Sequence, residues 1–504
     1  MNKKIATPLI VGLGLIMVLF VVIQMLTSGR NALGEFYKYL LPMAFFLGFA
    51  APKLSLYVLA ILAIYVDLGK KLLVVGENLF FTDLFFVLGT PSVLLLGACL
   101  SRSLRLFFNW NSPEVMLERK SFLLSIGVMF ALSILVLARA GLSVESGKDL
   151  AVSVAYFGLL FLVPSVLRSR SEVFSYLRFL FIIMVPAAGY AIYHFLHGMN
   201  DFELTYYASG FSRNDIYVFN GEGVFGPFAS QGALSSAMMA AAVLTVSAMV
   251  LSKSERRKLV GTPLALILIL LFVTAAVMSL KRGPLLILPM SLALYFILRN
   301  RAGYVVMVFG GVASLAGLVF YGDWVAQQLP EWQRWLNSAL SLTGDAEKNL
   351  FRIRTLNVRM VEFSSLADSR NWVPFGLLFG QGNEAYGYTL HAGVVSLVYR
   401  LGYIPLLVLA AVAVPLSWYL HGMYLEVYRD GKRLAAYCFC LGLALIIVPM
   451  LGFGVWRTFP VPYFLGLSFS IFWLLRYLPL NSPEALSVSE QEANEAILSK
   501  SYAQ

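Results

Sequence analysis

Residues 259–321 read LVGTPLALILILLFVTAAVMSLKRGPLLILPMSLALYFILRNRAGYVVMVFGGVASLAGLVFY. Three apolar runs, residues 259–280, 284–298 and 304–321, are separated only by Lys281 and Arg282 and then by Arg299 and Arg301. A run of about 20 apolar residues is long enough to cross the hydrocarbon core as a helix. Helix is the form it takes, because lipid offers the backbone no outside hydrogen-bond partner. Brief charged breaks between such runs mean that consecutive spans turn straight back. The whole chain has this character: 59% of its 504 residues are hydrophobic and 13% are charged, where soluble domains carry roughly a quarter charged. The spans themselves are therefore the domain.

Toward the N-terminus the same reading gives spans at Ser230–Leu251, Val173–His194, Asp149–Leu167, Ser121–Ala138 and Asp83–Leu100. Two short runs, Phe36–Ala51 and Leu54–Leu68, read as a tight hairpin turning at Pro52 and Lys53. The first run, Ile5–Leu26, is long for a signal peptide and lacks a small-residue cleavage site, so it reads as an uncleaved span. Toward the C-terminus lie Val394–Leu420, Leu434–Val455 and Val461–Tyr477. The predicted fold is all-α: a polytopic transmembrane helical bundle of about 14 spans with one large loop. Its divisions are residues 1–321 (spans one to eleven), 322–390 (the loop), 391–480 (spans twelve to fourteen) and a polar tail, 481–504.

The net charge of +11 points to membrane orientation and not to nucleic acid, for which no long basic and aromatic surface exists. Cytoplasmic loops collect Lys and Arg. With the N-terminus inside, alternation puts residues 102–120, 168–170, 253–258, 299–301 and 429–433 inside, together with the tail. Lys70, Lys71, Arg282, Arg352, Arg354, Arg359, His391 and Arg457 fall outside and break the rule. Their presence needs another cause. The three cysteines, Cys99, Cys438 and Cys440, sit in apolar segments as small packed residues. No cofactor and no metal site are expected from the Cys and His spacing.

Ionisable groups at membrane depth are often functional. Lys281 and Arg282 sit between two spans with almost no loop, beside Gly283 and Pro284, which are expected to break the helix. They read either as a snorkelling pair or as a fork for diphosphate, which Arg binds bidentately. Arg352 and Arg359 share one face of a helix predicted over Leu350–Leu366, next to the stripe Ile353, Leu356, Met360 and Phe363, with Arg354 pointing away. That helix either contributes cations to a site or lies on anionic headgroups. His391 follows a Gly-rich turn (Gly380, Gly382, Gly387) where the loop re-enters the membrane. It reads as a structural histidine or as a base for a sugar hydroxyl, and Glu384 upstream is either the base or its orienting partner. His194, His197 and His421 lie at span ends and read as interfacial and structural. Asp345-Ala-Glu347 is the nearest approach to an acidic metal motif.

Three stretches resemble the O-antigen ligase and polymerase family of bacterial envelope glycan enzymes. SLKRGPLLILPMSLALYFIL (279–298) resembles the family's span that opens with Ser, Arg and Gly. GVFGPFASQGALSSAMMAAAVL (223–244) resembles its Gly-Phe-Gly-Asn-Pro lead-in to an earlier span. FGQGNEAYGYTLHAGVVSLVYRLGYIPLLVL (379–409) resembles its Gly-x-Gly turn, His and following Leu-Gly pair. Ala392 stands where Asn is common after the His, and Arg400 where an acidic residue is common.

The resemblance implies a glycosyltransferase in the bacterial inner membrane, multi-pass, with its active site facing the periplasm. Its donor would be a glycan on undecaprenyl diphosphate. Its acceptor would be a lipid-linked glycan (polymerase) or lipid A-core (ligase). Other envelope polysaccharide-assembly proteins and membrane lipids would be its partners. His391 or Glu384 would be the base, and Arg282, Lys281, Arg352, Arg354 and Arg359 would hold the diphosphate. Transfer would be metal-independent and inverting. Two other classes compete: a lipid-linked oligosaccharide flippase, and a non-catalytic scaffold. Polar residues gathered on one side, not at the midplane, weigh against the flippase.

Overall fold

Ala51 is the whole turn between the first two helices: α1 is Ala32–Ala50 and α2 is Pro52–Val75. Proline at the first position of α2 has no N–H to lose there and has its φ preset for helix. The computed structural model describes residues 32–75, 83–140, 150–210, 224–339, 360–367, 393–450 and 459–479, with Gly147 and Leu378 singly. The first span, Arg352, Arg354, Arg359, Glu384, His391, Arg457 and the tail lie outside the described residues. Among the described residues the regular elements are helical.

The helices that follow are α3 (Asp83–Phe108), α4 (Met116–Ala140), α5 (Leu159–Val166), α6 (Arg170–His197), α7 (Asp201–Ala208), α8 (Gln231–Met249), α9 (Lys253–Leu259) and α10 (Thr262–Met278). Then come α11 (Arg282–Leu285), α12 (Ile287–Ile297), α13 (Arg301–Ala339), α14 (Gly393–Leu401), α15 (Tyr403–Arg429), α16 (Arg433–Met450) and α17 (Val461–Tyr477). Seven helices among the described residues are long and apolar enough to cross a membrane, and shorter apolar helices stand beside them. The protein is a multi-pass membrane bundle.

α8 is its centre. It touches α6, α10, α11, α12, α16 and α17, and nearly all of its residues are buried. Its sequence, QGALSSAMMAAAVLTVSAM, explains the position. Small side chains on every face let neighbours approach from all sides, which is how helices associate where lipid removes the hydrophobic drive. α13 and α15 are the outermost, with 6% and 0% of their apolar stretches buried, and Val306, Phe309, Leu407, Val408 and Val412 face outward. Tyr304 and Ser417 join them at one end (2.5 Å). At the other, Phe363, Leu366, Val395 and Val398 form a small core against Leu315 and Leu318.

α1 and α3 lie almost backbone to backbone. A methyl built on Gly48 would overlap the Leu94 carbonyl, and one on Gly97 would overlap the Phe45 carbonyl. Gly97→Leu is expected to lower the unfolding free energy by about 1–3 kcal/mol, the usual cost of overpacking. Gly127→Leu, where the added group meets open space, should leave it unchanged. A dodecyl sulfate titration of both purified variants checks this; equal stabilities would mean that the two helices separate freely.

Ion pairs sort the two ends of the bundle. Lys53 pairs with Glu172 at 2.5 Å, Arg170 with Glu255 at 2.5 Å, and Arg168 with Glu118 at 2.5 Å. Arg433 donates to the Val250 carbonyl at 3.0 Å, and Arg476 pairs with Glu426 at 2.7 Å. Residues that the charge alternation assigns to the inside thus share one end, called here the basic end.

Several expectations change. The hairpin helices, with 19 and 24 residues, are longer than expected. Span six is not one helix: a 3-10 turn, Val154–Gly158, precedes α5. Its exposed carbonyls are taken by neighbours: Ser92 donates to Ala151 (2.6 Å), Ser125 to Phe157 (2.9 Å) and Cys99 to Gly158 (3.6 Å). Span eleven ends at Tyr321 as expected, but its helix does not: α13 runs for 39 residues, about 58 Å at the helical rise, well beyond a hydrocarbon core. Span twelve divides at Gly402, whose φ of 82° and ψ of 167° only glycine adopts readily. Its first part, α14, touches α4 and α16.

Candidate functional site

The end opposite the basic end is built around two lysines that broke the charge rule. α2 carries Asp67, Lys70 and Lys71 in its last turns. α6 ends at His197, and Gly198, at φ 82°, turns the chain back into α7, whose first turn carries Asp201 and Glu203. Acidic residues suit that turn because they face the positive end of the helix dipole. The fold therefore brings the ends of α2 and α6 and the start of α7 to one point.

Lys71 and Glu203 meet there with no solvent exposure on either side chain, Nζ to Oε1 at 2.9 Å. Lys71 also donates to the Gly226 carbonyl at 2.9 Å. The other Glu203 oxygen accepts from the Tyr190 hydroxyl at 3.0 Å, and Asn200 donates to that same hydroxyl oxygen at 3.0 Å. His194 Nε2 lies 2.6 Å from Glu203 Oε2, bent away from ideal hydrogen-bond alignment, with its ring against Tyr190. Lys70 pairs with Asp67 at 3.1 Å and sits over the Tyr206 ring. Three buried polar atoms at this point have no well-aligned hydrogen-bond partner among the described residues: His194 Nδ1, His194 Nε2 and the Tyr207 hydroxyl.

The electrostatics are those of a closed ionic lock. Burial alone would push the Glu203 carboxyl up; His194 and Lys71 outweigh it and hold the carboxyl below its ordinary range. An ionised Glu203 favours the His194 proton on Nε2, which leaves Nδ1 as an acceptor. The lock ties α2, α6 and α7 to the segment ahead of α8. Gly226 makes this possible: its φ of 53° is the left-handed conformation, and its α-carbon packs against Ala191. That glycine lies in the GVFGPF lead-in singled out in the sequence.

Lys281 and Arg282 belong to the same end. Ser235, in the first turns of α8, lies 3.4 Å from the Lys281 carbonyl and 3.5 Å from the Ala276 carbonyl, donating to both. The helix break comes earlier than expected. It falls at Ser279–Lys281, with Leu280 at φ 57°, a left-handed conformation that costs a non-glycine residue roughly 1–2 kcal/mol. Gly283 and Pro284 do not break the helix but lie inside α11; proline is tolerated in a first helical turn. Lys281 caps α11, is exposed, and its N–H donates to Ser279 Oγ at 3.2 Å. Arg282 is the first residue of α11.

Of the other expected residues, the described neighbours are informative. Met360 and Phe363, the end of the stripe next to Arg359, are buried within the protein, so this part of the segment does not lie on lipid. Ser365 and Tyr403 fasten it: Ser365 Oγ lies 3.0 Å from the Tyr399 hydroxyl, and the Tyr403 hydroxyl donates to the Leu366 carbonyl at 3.0 Å. α14 begins two residues after His391.

Sequence reasoning missed the lock. His194 is not an interfacial side chain; it is 3% exposed, as is His421, whose Nε2 lies 2.9 Å from the Leu298 carbonyl. His197 is exposed, as expected. The usable signal was the pair Lys70 and Lys71 on the wrong side of the charge rule. No family model, curated protein or solved structure matches this chain.

Proposed function

We propose that this protein is a bacterial inner-membrane glycosyltransferase of about 14 spans, with residues 322–390 as a periplasmic loop. In this reading it moves a glycan from undecaprenyl diphosphate to a lipid-linked glycan or to lipid A-core. The observation that carries the reading is the strained Leu280 turn. It holds Lys281 and the start of α11 at the end opposite the basic end, the end that also carries Lys70 and Lys71. Strained backbone persists where surrounding structure over-determines it, and such sites are often functional. Lys70 and Lys71 have their own carboxylates, Asp67 and Glu203. In this reading Arg282, Arg352, Arg354 and Arg359 hold the anionic diphosphate.

The chemistry is a direct displacement. The acceptor oxygen bonds to the anomeric carbon as the bond to the diphosphate oxygen breaks, so the configuration inverts. His391 or Glu384 takes the acceptor proton. The leaving diphosphate keeps the electron pair, and arginine forks stabilise it.

Arg282→Ala is expected to abolish transfer by purified protein in detergent while the protein still inserts. Arg282→Lys should also be poor, because it keeps charge but loses the fork. Full activity of the alanine variant would remove Arg282 from the site, and full activity of the lysine variant would show that charge alone suffices.

The broken span at 150–166 favours a second reading, because transporters use interrupted helices. The carbonyls at Ala151, Phe157 and Gly158 are, however, already taken by Ser92, Ser125 and Cys99. A flippase would form no glycan product in detergent, so the same assay separates the two.

A further inference from the structure

We propose that a groove at the basic end, between the α1–α2 turn and the last turns of α3, holds the phosphate headgroup of an anionic phospholipid. The groove has a volume of about 800 Å³ and is lined by Pro52, Lys53, Tyr57, Ser101, Arg102 and Arg105, among others. It is separate from the site at the opposite end and does not depend on the transferase reading.

Its charge is only partly compensated: three cations line it, and Lys53 alone of them forms an ion pair among the described residues. Arg102 and Arg105 are three apart on α3 and so share a face. The nearby carboxylates are engaged in part: Glu172 pairs with Lys53, and Glu118 pairs through one oxygen with Arg168 while its charge also acts on Arg102. Arg102 Nε is buried with no hydrogen-bond partner among the described residues. Arg105 is exposed and forms no ion pair among them. Both guanidinium groups line the groove and have no hydrogen-bond acceptor among the described residues, and phosphate oxygens supply one with matching geometry.

The surroundings select a lipid over free phosphate. Leu54, Leu100 and Leu104 beside the groove are 53%, 41% and 42% exposed. They offer acyl chains a continuous apolar path away from the headgroup. Basic pockets between spans at the cytoplasmic face are where anionic headgroups bind, and this groove lies at the end where this bundle's Lys and Arg collect.

The test is native mass spectrometry of the whole protein from detergent micelles doped with phosphatidylglycerol or with phosphatidylcholine. Wild type should retain phosphatidylglycerol and not phosphatidylcholine. Each basic residue near a membrane surface contributes a factor of about five to anionic-lipid affinity, so Arg105→Gln should weaken retention about fivefold. Arg105 is exposed, so this variant folds whatever Arg102→Gln does. Arg257→Gln, an exposed cation on α9 at the same end, should change nothing. Equal retention of the two lipids would overturn the proposal. Equal losses for Arg105→Gln and Arg257→Gln would reduce it to diffuse surface charge and overturn it too. Displacement of the lipid by millimolar glycerol 1-phosphate would make the ligand a free phosphate, against the proposal.

Discussion

His391→Ala is expected to lower the transfer rate about 10² to 10⁴-fold, the usual worth of a general base, while donor affinity holds. His391 stands two residues before α14, which lies against α4 and α16, and it follows a Gly-rich turn that lets backbone approach a substrate closely. In the proposed reading a base there takes the acceptor proton while the arginines hold the departing diphosphate, so losing it should damage turnover and spare binding. An imidazole must be neutral to accept a proton, and the ordinary imidazole pKa is about 6.5. Wild-type rate should therefore fall on acidification from about pH 8 to 5.5, a window that brackets that pKa. His391→Gln keeps a hydrogen-bonding group but not a base. A Gln variant with wild-type rate and pH profile would reduce His391 to a positioning residue and move the base to Glu384. If donor affinity collapses in the alanine variant, the histidine belongs to the diphosphate site instead.

Where spans end in a charge or a cap, the sequence was an accurate guide. The last helix was read as Val461–Tyr477, and α17 has those bounds, because Pro460 precedes it and Arg476 closes it. α8 was read from Ser230, which proves to be its cap, accepting from the Ala233 N–H at 3.2 Å. Hydropathy marked the end of span eleven at Tyr321 but not the end of its helix. Residues 322–339 are polar enough to be in water, yet α13 continues through them, since a helix satisfies its own backbone in either solvent. Gly402 was hidden for the opposite reason: glycine is common inside spans, and only its φ reveals the break between α14 and α15. The interruption of span six was invisible because Ser92 and Ser125, distant in sequence, satisfy its carbonyls.

The site was legible only as an anomaly. Charge alternation showed that Lys70 and Lys71 were misplaced, but the partner of Lys71 is 132 residues away, and no local pattern announces Glu203. His194 was read by its place at a span end, where interfacial exposure is the common outcome; α7 folding back over it removed that exposure. The left-handed Leu280 turn likewise left no signature, because Gly283 and Pro284 nearby drew the expected break to themselves.

Lys71→Met is expected to destabilise the protein by about 3–5 kcal/mol, because removing one partner strands a buried charge on the other. Glu203 would keep only Tyr190 and His194, and the Gly226 carbonyl would lose its Lys71 donor. Glu203→Gln in the same chain removes the stranded charge and should restore most of the loss, since a buried pair replaced as a unit is often near neutral. The pH dependence has a definite sign. In wild type the Glu203 carboxyl is held below its ordinary range, so its stabilisation is full above the unfolded pKa of about 4.3 and is lost only as pH falls through the lower folded value. In Lys71→Met, burial dominates and pushes the carboxyl up. The penalty should then shrink as pH falls from 7 toward about 4.3. Asp67 and Lys70, the other charged pair at this point, neutralise one another and leave that sign unchanged. Unfolding free energies from dodecyl sulfate titrations at pH 7 and pH 5 measure both effects. A single variant as stable as wild type, or a double variant no better than the single, would mean that Lys71 and Glu203 do not act as a pair.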